Sequence, residues 1–239
     1  MAIRNEEETF PKAMTKTFLI AGGTSGIGAE TATLLRDSQH EVLLAGRGDS
    51  VDQPFDAENA ESTMELPDQL HGAVYFPGTI TLRPFNSLSD KDFQRDLEIN
   101  LLGAVRFLRQ AYPSLRKADS ASVVLFSTVA VQTGMAYHSS IAAAKGAIEG
   151  LMRSLAAEWA PAIRVNCIAP SLTDTPLAGG LLQSNEKREA AAKRHPLHQV
   201  GDPKQLAELC TFLLDSERSG FITGQLFKAD GGISGTRQL

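Results

Sequence analysis

The sequence predicts an α/β protein, a doubly wound parallel sheet of about seven strands in one domain. Three observations carry that expectation. Apolar, β-branched runs alternate with helical patterns from one end of the chain to the other, the signature of parallel strands joined by crossover helices on both faces. A glycine-rich turn, "AGGTSGIG", stands between the first strand pattern and the first helix pattern. The chain has 239 residues, 42% of them hydrophobic, enough for one sizeable core.

The elements follow in order. "KTFLIAGG" from Lys16 is an apolar run that ends in glycine, so it reads as a strand entering a turn. The segment from Gly28 places Ala32, Leu34 and Leu35 at helical spacing. "HEVLLAGR", "SVDQPFDA" and "LHGAVYFPGT" read as the second, third and fourth strands, the last ended by Pro77 and Gly78. Phe93, Leu97, Leu101, Val105 and Leu108 recur every three or four residues in a long amphipathic helix, capped by Ser89 or Asp90. "SASVVLFST" is the fifth strand, and "SIAAAKGAIEGLMRSLAAEWAP" a second long helix stopped by Pro161. "IRVNCIAPS" is the sixth strand, "PKQLAELCTFLLDS" a helix and "GQLFKADGG" the last strand.

Composition removes several function classes. Net charge is −5, from 23 basic and 28 acidic residues, without the basic face that nucleic-acid binding needs. No run approaches the ~18 apolar residues of a membrane span. Residues 1–14 are charged, lack an apolar signal core and read as a loose tail, so a cytoplasmic protein is expected. Residues 15–239 form the single domain. Cys167 and Cys210 stand in apolar contexts and read as buried thiols. Neither has partners at metal-ligand spacing, so no metal site is expected.

The glycine turn is the first motif with chemistry. Gly22, Gly26 and Gly28 have the spacing Gly-x-x-x-Gly-x-Gly, with Thr24, Ser25 and Ile27 between them. Such a turn lets a pyrophosphate approach the backbone, and the helix behind it offers free N–H groups and the positive end of its dipole.

At this point the chain resembles the short-chain dehydrogenases/reductases, from Lys16 to Gly232. The motifs that agree, in order, are the glycine turn, Asn100 in "EINLLG", "VLFST", Lys145 in "AAAKGAIEGL", "IRVNCIAPS" and "ITGQLFKADGG". The resemblance implies a Rossmann-like fold, a bound NAD or NADP, and hydride transfer to or from a carbonyl, an alcohol or a related group. After the second strand, Gly46 stands where an acid would select NAD, and Arg47 follows; that pair suits the 2′-phosphate of NADP. Asp49 and Asp52 lie close by and contest the reading. The connections on either side of the third strand are short, so one outer helix is expected to be missing and another reduced to a turn. Asp56 resembles the residue that contacts adenine. Where the family commonly has Asn-Asn-Ala-Gly, this chain has Tyr75, Phe76, Pro77 and Gly78. Gly78 keeps the close approach to cofactor, and apolar packing by Tyr75 and Phe76 is expected to replace the asparagines' tie between strands.

The family pattern also maps the chemistry. Its lysine falls on Lys145, its water-holding asparagine on Asn100, and its serine on Thr128, with Ser127 as the alternate although strand alternation points it to the other face. Its proton-donating tyrosine falls on Ile141, four residues before Lys145, and isoleucine exchanges no proton. Tyr137 and His138 are the candidate stand-ins if the helix extends back one turn. His138 lies seven residues before Lys145, the separation of tyrosine and lysine in the enoyl-thioester reductase branch. Pro170, Ser171, Thr173 and Thr175 correspond to the loop around the nicotinamide, with Ser171 replacing the usual glycine. Residues 176–200 are the expected substrate lid, with Leu181 and Leu182 as an apolar wall and Lys187, Arg188, Lys193 and Arg194 as a solvated face. A homodimer or homotetramer through the two long helices is implied by the resemblance. The expected activity is NADP-dependent oxidoreduction of a small molecule; the alternative is a weak or inactive NADP-binding sensor or scaffold.

Overall fold

The computed structural model describes residues 14–236; the expected tail lies outside them except for Met14. Seven strands, β1 (Thr17–Ala21), β2 (Glu41–Gly46), β3 (Gln53–Pro54), β4 (Gly72–Tyr75), β5 (Ala121–Phe126), β6 (Ile163–Pro170) and β7 (Leu226–Ala229), form one sheet in the order β3-β2-β1-β4-β5-β6-β7. Every pairing is parallel. The strand order reverses between β1 and β4, which makes the carboxyl ends there the ligand crevice of such a sheet.

Side-chain alternation in β1 shows why both faces are covered. Leu19 and Ala21 enter one core, with Phe107 and Leu108 of α3 (Gly103–Leu115) and Ile148 and Met152 of α5 (Ser139–Trp159). Phe18 and Ile20 enter the other, with Ala32 and Leu35 of α1 (Gly26–Asp37) and Leu206, Cys210 and Leu213 of α7 (Pro203–Leu214). A strand buried on both sides reads as a continuous apolar run, as "FLIA" does. Cys167 and Cys210 are both free and buried.

No helix lies between β2 and β4. Instead α3 holds the intervening segment by its own polar side chains. Gln110 Oε1 accepts from Met64 N at 2.8 Å and its Nε2 donates to Ser62 O at 3.0 Å. Ser114 Oγ donates to Pro67 O at 2.6 Å, and Arg106 Nη1 to Ala57 O at 2.9 Å.

The long helix expected from Asp90 to Leu115 is two helices. Ser89 caps α2 (Asp90–Leu97) in a reciprocal capping box with Asp92. A π-turn, Glu98–Leu102, follows before α3. Tyr75 is built into this break. Its hydroxyl donates to the Ile99 carbonyl at 2.6 Å, and a Cβ at Gly103 would lie 2.3 Å from that hydroxyl. Tyr75 therefore ties β4 to the helix by a hydrogen bond as well as by packing on Phe55 and Phe107. Phe76 packs on Phe126, ring centroids 4.6 Å apart, as pure apolar filling.

Candidate active site

The glycine turn runs from the end of β1 into α1. Gly22 and Gly26 have φ of +75° and +53°, and a Cβ at Gly28 would stand 2.3 Å from Gly22 O. These three positions need glycine for conformation or for space. Ser25, the N-cap of α1, makes no side-chain cap bond, and Thr24 and Ser25 are exposed. The first N–H groups of α1 are thus left without a side-chain cap, as an anion site requires. A Cβ on Gly26 would lie 3.1 Å from Thr175 Cγ2, so the loop after β6 reaches across the turn.

At the end of β2, Gly46 is half-buried and Arg47 is exposed. Asp52 does not contest this position: its Oδ2 accepts from Leu44 N at 2.8 Å. Asp49 is exposed in the same turn. Asp56, after β3, accepts from Glu58 N at 3.0 Å and so closes its own loop.

Lys145 projects from the first turns of α5 and is buried. Its Nζ donates to the Phe126 carbonyl at 2.9 Å. Burial pulls its pKa down from the usual lysine range to about 8, against the smaller opposing influence of Cys167 and Asp96. Asn100, in the π-turn, is fully buried. Its Nδ2 donates to Thr79 Oγ1 and to Asp96 O, both at 2.8 Å. Its Oδ1 has no partner. A Cβ at Gly78 would lie 3.0 Å from that oxygen and 3.5 Å from Lys145 Nζ. A side chain at residue 78 would therefore crowd both groups, and of the three residues Gly78 and Lys145 line the main cavity while Asn100 lies behind them. Behind this corner, Thr79 and Thr81 both donate to Asp96 Oδ1, at 2.6 and 3.0 Å.

Thr128, just ahead of the short helix α4 (Ala130–Thr133), lines the same cavity, of about 740 Å³. Ser127 Oγ turns away and donates to the buried Glu149 Oε1 at 2.7 Å, the alternation expected of a strand end. Ile141 is 5% exposed and forms hydrocarbon wall beside Lys145.

The two expected stand-ins part company. α5 begins at Ser139 and does not extend back over Tyr137. Tyr137 adopts φ +69° and is 59% exposed; a left-handed residue cannot continue the helix, so its ring leaves the cleft. His138 is the N-cap residue of α5 and does line the cavity. Its Nδ1 lies 2.7 Å from Ala136 O, which makes Nδ1 the donor and leaves Nε2 to face outward.

Pro170, Ser171, Thr173 and Thr175 all line the cavity. Thr173 Oγ1 donates to Ser171 O at 3.0 Å. Ser171 Oγ lies 2.7 Å from Nε2 of His195, a buried histidine that the sequence reading did not single out. No local pattern marks it, because the pairing spans 24 residues.

The lid region contains a 3₁₀ turn, Pro176–Leu181, and the helix α6 (Asn185–Ala192). Leu181 lines the cavity as expected, but Leu182 is 2% exposed and packs inward; Leu177 takes its place on the wall. All four basic residues of the lid are exposed. Arg188 makes a bidentate pair with Asp174, at 2.5 and 3.0 Å, while Lys187 and Arg194 line the cavity. Among the described residues no cluster could hold a metal ion, and no helix is long and apolar enough to cross a membrane.

Comparison with known proteins agrees with this architecture. Residues 51–234 match the family model described as enoyl-(acyl carrier protein) reductase. A tropinone reductase homologue of Arabidopsis thaliana is 36% identical over 241 residues, 90% of this chain and 92% of the relative. The ligand-free aldohexose dehydrogenase of Thermoplasma acidophilum superposes with a TM-score of 0.85 at 24% identity, covering 94% of this chain and 96% of that one. ElxO with NADP bound superposes with a TM-score of 0.84 at 22% identity, covering 93% and 100%. With a family model matched over most of its length and a relative of this identity along nearly all of it, the chain belongs to the short-chain dehydrogenase/reductase family.

Proposed function

We propose that the protein is an NADP-dependent oxidoreductase that transfers a hydride to or from a carbonyl, alcohol or enone carbon of a small, largely apolar molecule. The observation that carries this is the corner at Gly78, where the cavity-lining Lys145 stands beside the buried, unpartnered Asn100 Oδ1 and a Cβ would come within 3.5 and 3.0 Å of their polar atoms. A buried polar atom without a partner is costly, and a bound water would satisfy it. The glycine turn fits the pyrophosphate, since side chains there would fill the approach. Arg47 beside Gly46 suits a 2′-phosphate. Thr173 and Thr175 would hold the carboxamide end. A bound nicotinamide supplies the hydride.

The chain's own residues do the rest. Lys145 would hold the ribose, Asn100 would hold a water behind it, and Thr128 offers a hydroxyl to the substrate oxygen. Ile80, Leu82, Met135, Ile141 and Leu177 enclose an apolar body and exclude water. Residue 141 holds no proton. Of the two stand-ins, only His138 faces the cleft. α3 and α5 present half-buried Tyr112 and Trp159, stacked at 4.9 Å, as the surface for a homodimer or homotetramer.

Ile141 also supports a second reading, a nucleotide-binding sensor without turnover. The two are separated by measuring NADPH and NADH binding by fluorescence, then cofactor oxidation with a panel of ketones, aldehydes and enones. The oxidoreductase reading expects stoichiometric reduced product; the sensor reading expects tight NADPH binding with none.

A further inference from the structure

The cleft contains a pair of side chains that no motif indicated. Ser171 directly follows β6, and its Oγ lies 2.7 Å from His195 Nε2. His195, in the turn after α6, is 3% exposed, and its Nδ1 lies 2.9 Å from the Ala191 carbonyl oxygen. A carbonyl only accepts, so Nδ1 carries a hydrogen in both protonation states of the ring. That decides the part of the other nitrogen. In the neutral ring Nε2 is a lone pair; Ser171 donates to it and turns its own lone pairs toward the cleft. In the imidazolium, Nε2–H donates to Ser171, and the hydroxyl hydrogen is free to enter the cleft. The same pair presents an acceptor in one state and a donor in the other.

Its place in the molecule gives this a use. Ser171 and His195 line the main cavity together with Thr128, Ile141 and Lys145. Both also line a smaller cavity of about 330 Å³, so the pair is the partition between the two. Ser171 is held on either side of its side chain: its N–H donates to Ala229 O at 3.4 Å and its carbonyl accepts from Thr173 Oγ1 at 3.0 Å. The charged groups around the pair are Lys187 and Arg194 on the main cavity and Asp202, Lys228 and Asp230 on the smaller one. Both carboxylates are already engaged. Asp202 accepts from Lys204 N at 2.9 Å, and Asp230 from Gly232 N at 2.9 Å and from Ser234.

We infer that Ser171 exchanges the substrate proton with His195 behind it, replacing the group absent at Ile141; this rests on the hydride-transfer reading of the cleft. In reduction, the substrate oxygen takes the electron pair of the C=O π bond as its carbon receives a hydride from a reduced nicotinamide. The Ser171 Oγ–H bond breaks and an O–H bond forms on the substrate oxygen. The Nε2 hydrogen of His195 passes to Ser171 Oγ and leaves a neutral ring, its Nδ1–H still on Ala191. Oxidation of an alcohol runs the same transfers in reverse. Ser171 is the catalytic residue, and His195 acts through it.

The test uses the full chain, with Ser171→Ala, Ser171→Thr, His195→Gln, His138→Ala and, as a control outside the cleft, Tyr137→Phe. NADPH affinity, kcat and KM are measured against pH, and nitrogen-15 imidazole spectra report the ring tautomers. Ser171→Ala and His195→Gln are expected to lose about 10²–10⁴-fold in kcat with NADPH affinity kept, and to lose a pH limb that the wild type shows. Ser171→Thr, which keeps the hydroxyl, is expected to recover much of the rate. The spectra are expected to show the neutral ring of His195 protonated on Nδ1, with an Nε2 shift that moves in Ser171→Ala. A neutral ring protonated on Nε2, or wild-type rates in both Ser171→Ala and His195→Gln, or a loss confined to His138→Ala, overturns the pair's role while the oxidoreductase reading stands. A wild type that binds NADPH and turns over no panel substrate overturns both.

Discussion

Lys145 Nζ donates to the backbone carbonyl of Phe126 at 2.9 Å, and among the described residues no carboxylate forms an ion pair with it. The lysine is buried on a neutral acceptor, and burial draws its pKa down to about 8. The sign of the consequence is opposite to that of a salt-bridged lysine. Below pH 8 the folded protein holds a charge that the unfolded chain solvates better. As pH rises from 8 toward the unfolded value, the unfolded chain binds the extra proton and stability increases. We expect apo stability to gain roughly 1 kcal/mol from this group between pH 7 and 9. Burial pushes the Cys167 and Cys210 thiols and the Tyr75 phenol up, and these oppose the gain at higher pH. The readout is therefore the urea stability of wild type minus that of Lys145→Met, which should rise with pH; a constant difference contradicts the buried, unpaired state.

The Tyr75 hydroxyl, the Ile99 carbonyl and the missing Cβ of Gly103 form one unit. Tyr75→Phe leaves a buried carbonyl unpaired and should cost about 1–3 kcal/mol. Gly103→Ala should cost more, because the methyl meets the hydroxyl. In the double variant the clash with the hydroxyl is gone while the 2.9 Å approach to Ala57 Cβ remains, so the double variant should cost less than the sum of the two single costs. Thermal denaturation of the four proteins checks the cycle, and strict additivity would show that the residues do not interact.

Cofactor choice should follow Gly46 and Arg47. Gly46→Asp with Arg47→Ala is expected to weaken NADPH and strengthen NADH, a swing of at least about tenfold in the ratio of dissociation constants. The Cβ at position 46 would meet Val51 Cγ1 at 3.3 Å, a contact a side chain relieves by a small shift. An unchanged ratio would place the 2′ recognition elsewhere.

Ile141→Tyr distinguishes a displaced acid from a missing one. If the proton is handled elsewhere in the cleft, a tyrosine there should change kcat by less than about tenfold. A gain of about 10²–10⁴-fold would mean that the native cleft has no effective acid at all.

Much of this was legible in the sequence because it is local. Strand runs, the glycine turn and the Lys145 helix are each one continuous segment, the longest of 21 residues, and the structure has them where the patterns put them. The short flank between β2 and β4 was legible as a lack of length, though the side chains of α3 that close it were not. The π-turn escaped because Tyr75 and Ile99, 24 residues apart, decide it; the 3.6-residue periodicity runs through the break. Tyr137 was misplaced because its left-handed φ has no glycine or asparagine to announce it. Ser171 and His195, and Asp174 and Arg188, meet only when α6 folds back over the loop after β6. Leu182 turned inward for the same tertiary reason.

The most direct measurement of the central claim is NADPH oxidation by the purified wild type against carbonyl and enone substrates, with product quantified beside Lys145→Met. The account predicts one reduced product per NADPH consumed, and a loss of turnover in Lys145→Met of at least about a hundredfold. Tight NADPH binding with no product from any substrate, or an equal rate in the two proteins, would contradict it.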